Sequence, residues 1–169
     1  MTLQELAHRE EELYSKVIDL NNQPQSDKVK EQLQRIFMDY KRVHQEYANL
    51  SHVDIEALKR GLFIQWYAVT EPNYSTGIEN LDEKAENLII GNLYEVITAG
   101  KIDDELVWML NYYYNWDWAF ERLKSFKGFD SKIVSEQNNH LPDKIDRIEM
   151  EQRGQMGKYW NSLTKFSED

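Results

Sequence analysis

Cysteine is absent from this 169-residue chain, which excludes a disulfide framework, a thiolate metal site and a cysteine nucleophile. Cations are in short supply. Lys and Arg total 20 against 30 Asp and Glu, a net charge of −10. That balance argues against nucleic-acid binding, which needs a basic footprint. Long apolar runs are missing too, since no stretch approaches the roughly 18 residues of a membrane span. Glu5, Arg9 and Glu10 to Glu12 come too early for a signal peptide. The expectation is a cytoplasmic protein with no membrane and no nucleic-acid partner.

Recognisable catalytic patterns are equally scarce. No serine sits in a nucleophile elbow and no glycine-rich loop forms a phosphate cradle. Glu5 and His8 have the Glu-x-x-His spacing of carboxylate-bridged di-metal bundles. That chemistry needs two such motifs and two further glutamates, and here Glu5 and His8 lie with Glu12 on a polar helix face. No metal and no cofactor is expected, and the reading leans away from an enzyme. His44, beside Tyr40 and Tyr47 at the margin of an apolar stripe, reads as a hydrogen-bonded boundary residue.

What the chain does have is aromatic rings. Seven of the thirteen residues from Trp108 to Phe120 are Trp, Tyr or Phe. Asp103, Asp104 and Glu105 precede them, as suits a helix N-terminus, and Gly128 follows as a stop. At about 100° per residue, one broad face collects Trp108, Met109, Tyr112, Tyr113, Trp116 and Phe120. A narrower face collects Val107, Leu110, Tyr114 and Trp118. Asn111, Asn115 and Arg122 form a polar stripe between them, and Asp117, Glu121 and Lys124 form another. Each large ring hides about 200 Å² when buried, so a helix with two such faces needs cover on two sides.

The other helices follow from stripes and caps. Leu3, Leu6, Leu13, Val17 and Ile18 predict a helix over 3–21, ended by Asn22 and Pro24. Ser26 caps a second, with Val29, Leu33, Ile36, Phe37, Tyr40, Val43 and Tyr47 inward, running to about Asn49 and antiparallel to the first. Ser51 with Asp54 resembles a capping box for a third, with Ile55, Leu58, Leu62, Trp66 and Val69 facing one way. Ala57, Gly61 and Ala68 there invite a close neighbour, and Pro72 ends the helix. A loop over 71–80 leads to a fourth helix capped by Asn80 with Glu83, carrying Leu88, Ile89, Leu93, Val96 and Ile97 and closed by Gly100. Beyond Gly128 the signal weakens. A short helix over 131–139 is expected. Pro142 suits a first helical turn, and Gly154 and Gly157 break or bend the stripe Leu141, Ile145, Ile148, Met156, Tyr159, Leu163 and Phe166.

The fold class is all-α: a compact antiparallel bundle of about five to seven helices around a central aromatic-rich helix, about 103–126. Residues 1–128 form the bundle domain and 129–169 a helical extension docked on it. The candidate ligand- or partner-binding residues are Gln65, Trp66, Glu71, Asn111, Tyr114, Asn115, Trp118 and Arg122, rings with a few convergent polar groups. Nine acids lie between Glu71 and Glu105, opposed only by Lys84 and Lys101. They suit a basic protein partner. The leading functional expectation is therefore a non-enzymatic interaction module that binds such a partner or a second copy of itself. The alternative is a small-ligand-binding protein or an unfamiliar enzyme, with its site between the 71–80 loop and the 103–126 helix.

Overall fold

The computed structural model describes residues 1–116, 118–119, 141–142 and 144–164. The described residues form eight helices and no strand: α1 (Leu3–Asn21), α2 (Asp27–Leu50), α3 (Ile55–Thr70), α4 (Asn73–Thr76), α5 (Glu83–Thr98), α6 (Asp104–Tyr113), α7 (Arg147–Glu151) and α8 (Gly154–Leu163). Among them no helix is long and apolar enough to cross a membrane. The expected helix over 131–139 lies outside the described residues, as do Asp117, Phe120 to Lys124 and Phe166.

α1 and α2 pair antiparallel. The Met1 amine lies 3.6 Å from Glu46, and Tyr40 Oη donates to the Glu10 carbonyl at 3.1 Å. α1 begins with a full capping box between Thr2 and Glu5. Ser26 caps α2 and Asp103 caps α6, each accepting a backbone amide. At two other starts the cap sits elsewhere than expected. Asp54 accepts from the Glu56 and Ala57 amides, while Ser51 closes α2 and bonds the Ala48 carbonyl. Asp82 rather than Asn80 caps α5, and Asn80 adopts a left-handed φ of 49°.

α3 is the most enclosed helix. All ten residues from Ala57 to Trp66 are buried, so it is covered on every side rather than along one stripe. Val69, expected inward, is 47% exposed. α3 packs against α2, α4, α5 and α8. α5 comes close to α3 at Gly61, where a Cβ would lie 2.5 Å from Ile89 Cδ1. The 71–80 loop is partly helical; α4 packs on α1 and α3, with Thr76 and Ile78 buried.

α6 starts at the expected place and delivers its rings to α3 and α8. Its α-helical part ends at Tyr113, and Tyr114 to Trp116 continue as a 3₁₀ turn. Asn115 Nδ2 donates to the Tyr112 carbonyl at 3.0 Å. Farther on, Pro142 lies outside any helix, and α7 begins only at Arg147, capped by Asp146. The chain breaks at Gly154, where φ is +62°, before α8 packs on α1, α3 and α7. Three further residues leave their expected stripes: Ile18 is 45%, Leu88 44% and Ile148 74% exposed.

Candidate functional site

The expected site residues separate into core and surface. Gln65 is buried and donates to the Glu86 carbonyl at 3.1 Å, tying α3 to α5. Trp66 is a hub of the core. It stacks on Tyr113 at 4.9 Å and has Phe63, Tyr67, Tyr112, Trp116 and Tyr159 within about 6 Å. Asn111 is buried, and its Oδ1 meets no hydrogen-bond donor among the described residues. Tyr114 is half-buried in the 3₁₀ turn, whereas Glu71, Asn115 and Trp118 are exposed. Arg122 lies outside the described residues.

A buried ionic network joins α3, α6 and the C-terminal helices. Arg153 sits just before α8 and is only 3% exposed. It makes a two-pronged contact with Glu105, at 2.7 and 2.8 Å, and its Nε donates to Glu56 at 2.6 Å. Lys59 Nζ lies 2.7 Å from Asp103 and 2.5 Å from Glu105. Arg60 bonds Glu56 at 2.6 Å and the Leu3 carbonyl at 3.0 Å. The Arg153 and Lys59 cations hold the Glu105 carboxyl down at about 2, despite its partial burial.

Glu10 lies under this network and is 1% exposed. Tyr47 Oη donates to it at 2.5 Å and the Gln155 amide at 3.2 Å. Burial outweighs these bonds and pushes its carboxyl up to about 7. A Cβ at Gly154 would collide with Glu10 Oε1, so glycine lets the chain pass over the carboxylate. His44 is also fully buried, not a boundary residue, and neither ring nitrogen has a hydrogen-bond partner among the described residues. Burial lowers its pKa to about 3, so the ring stays neutral.

None of these groups stood among the sequence candidates, yet two signals were present. Leu3, Leu6, Leu13, Val17 and Leu20 form a heptad-like row whose missing member is Glu10. Lys59 and Arg60 stand inside an otherwise apolar helix.

Concave places face solvent at several points of the described residues, among them a groove of about 390 Å³ between α1 and α2 and one of about 340 Å³ beside Glu56, Arg60 and Arg153. A cleft of about 140 Å³ is lined by Tyr14, Tyr67, Gln155, Lys158, Tyr159 and Ser162. A groove of about 290 Å³ runs between α2 and α5, lined by Gln45, Glu46, Ala48, Asn49, Asp82, Lys84, Ala85 and Leu88. Along α5, Glu83 and Glu95 are exposed, as are Glu71 and Asp104 at either side in sequence. Among the described residues, no three His, Asp or Glu side chains gather as metal ligands. In comparisons with family models, curated proteins and solved structures nothing matches this chain, so its functional reading rests on its own residues.

Proposed function

We propose that this chain is a non-enzymatic interaction module whose partner is a basic, amphipathic protein segment, held along the groove between α2 and α5. The observation that carries this reading is the composition of that groove. Ala48 and Ala85 are buried in its floor, Leu88 stands 44% exposed at its edge, and Glu46 and Asp82 flank it with Lys84 as the one lining cation. Covering one leucine contributes about 1.5–3 kcal/mol. Each rim ion pair adds only about 0.2–1 kcal/mol, so the acids act mainly on orientation and association rate.

The inner ionisable groups support the same reading, because they answer one another. Lys59, Arg60 and Arg153 are paired with Asp103, Glu56 and Glu105. A small-molecule site between residues 71–80 and the aromatic helix draws less support. Gln65 is satisfied by the Glu86 carbonyl, and rings surround Trp66.

The test is co-purification from the native host, run in parallel with wild type and Leu88→Arg. The expected result is a basic partner recovered by wild type, released by added salt and lost in the variant. A partner that the variant retains would place binding elsewhere. Recovery of a second copy of the chain, by light scattering as well, would replace the basic partner with self-association.

A further inference from the structure

We propose that Glu10 is a pH-dependent latch: α8 stays docked on the bundle while the Glu10 carboxyl carries a proton, and opens away as it ionises. This goes beyond the partner reading and concerns other residues.

Glu10 holds the start of α8 from another helix. Arg153, at the N-cap position of α8, makes no side-chain cap bond. The Glu10 carboxyl on α1 takes that place and accepts from the Gln155 amide at 3.2 Å. Gly154 passes directly over it with a φ of +62°, and a Cβ there would lie 2.5 Å from Glu10 Oε1. Tyr47 of α2 closes the other side, its Oη donating to Oε1 at 2.5 Å. The carboxyl is thus walled by α1, α2 and the chain entering α8. α1 and α2 pair as helices of 19 and 24 residues, whereas α8 has 10, so the chain entering α8 is the wall that gives.

The cations around Glu10 are engaged elsewhere. Arg60 of α3 bonds Glu56 and the Leu3 carbonyl, and acts on Glu10 only at longer range. Arg153 bonds Glu56 and Glu105. On α8, Lys158 lies 3.8 Å from Glu11, and Tyr159 Oη is 2.7 Å from Tyr112 Oη. Tyr14 and Glu11 on α1 and Tyr40 and Tyr47 on α2 supply no positive charge, and α4 carries only the exposed Tyr74. Burial therefore decides, and holds the docked carboxyl at about 7. With α8 lifted the group meets water and titrates near its ordinary 4.5. Its contribution to docking is complete below about 4.5 and is lost as pH rises through about 7. Opening uncovers Met156 and Trp160, both fully buried when α8 is docked.

The experiment is amide hydrogen exchange of the full chain at about pH 5 and about pH 8, corrected for the intrinsic pH dependence of exchange. Protection across α8 is expected to fall at least about ten-fold between the two, and at the higher pH to lie below that of α2 and α5. Glu10→Gln keeps the shape without the charge, and its α8 protection is expected to change by less than about two-fold. The Glu10 carboxyl carbon of wild type, followed by NMR, is expected to titrate over the same range as the loss of protection. Constant α8 protection in wild type, α8 and α2 losing protection together, the same fall in E10Q, or a Glu10 titration outside that range would each overturn the proposal.

Discussion

Glu10 and His44 are single residues whose burial pulls the protein's acid–base behaviour in opposite directions. Glu10 titrates at about 7 in the folded chain against an ordinary 4.5. Its folded form holds the proton longer, so its contribution is complete below about 4.5 and is lost as pH rises through about 7. Tyr47, the Gln155 amide, Arg60 and Glu11 are the groups that act on it besides burial. Burial takes His44 down to about 3 from 6.5, with the Asp82 charge opposing. Its contribution is complete above about 6.5 and is lost as pH falls through about 3. Each group changes stability by about 1.4 kcal/mol per pH unit inside its window. Between about 4.5 and 6.5 the two cancel, and the pair leaves wild-type stability level there. Glu10→Gln is expected to expose the histidine, with stability rising across that range. His44→Phe is expected to expose the glutamate, with stability falling. Urea unfolding at a series of pH values checks both, and three superimposable profiles would remove both assignments.

At the scale of elements, α3 and the segment entering α8 hold the molecule together through Arg153. Arg153→Met leaves Glu56 and Glu105 without their shared cation. Breaking a buried pair costs about 3–5 kcal/mol. Here Glu56 and Glu105 are 22% and 27% exposed and keep Arg60 and Lys59. A loss of about 2–3 kcal/mol is therefore expected by denaturant titration. Hydrogen exchange should rise first across α8, whose start the arginine fixes. Uniform exchange across all helices would contradict this. Gly61→Val drives methyl groups into Ile89 and is expected to cost about 2–3 kcal/mol.

The same elements show what was legible from residues alone. Stripes and caps located α1, α2 and the start of α6, because those helices follow local periodicity and carry good N-cap residues, whereas α5 was located by its stripe and its cap is Asp82, not Asn80. α3 read as amphipathic because its apolar residues repeat properly. Its burial on every side depends on Lys59 finding acids 44 and 46 residues away, which local periodicity does not encode, while Arg60 pairs with Glu56 in the preceding turn. The end of α6 at Tyr113 falls in a stretch whose apolar spacing continues without change, so periodicity does not mark it. Of the expected site residues, Gln65 and Trp66 were legible as inward-facing. Their neighbours, a backbone carbonyl and a set of rings, are set by tertiary packing.

For the whole molecule the controlling quantity is charge. With a net charge of −10, the proposed association with a basic partner would be steered electrostatically, and exposed charges are screened over about 10 Å at 0.1 M salt. The groove between α2 and α5 supplies apolar contact, and Glu83 and Glu95 supply field along the same helix. The most direct measurement is the affinity of the purified chain for its co-purified partner, for wild type and Leu88→Arg, between about 50 and 300 mM salt. The expected result is affinity that falls steeply with salt for wild type and a further loss of at least about ten-fold in the variant at every salt concentration. Salt-independent binding of equal strength in the two proteins would contradict the account.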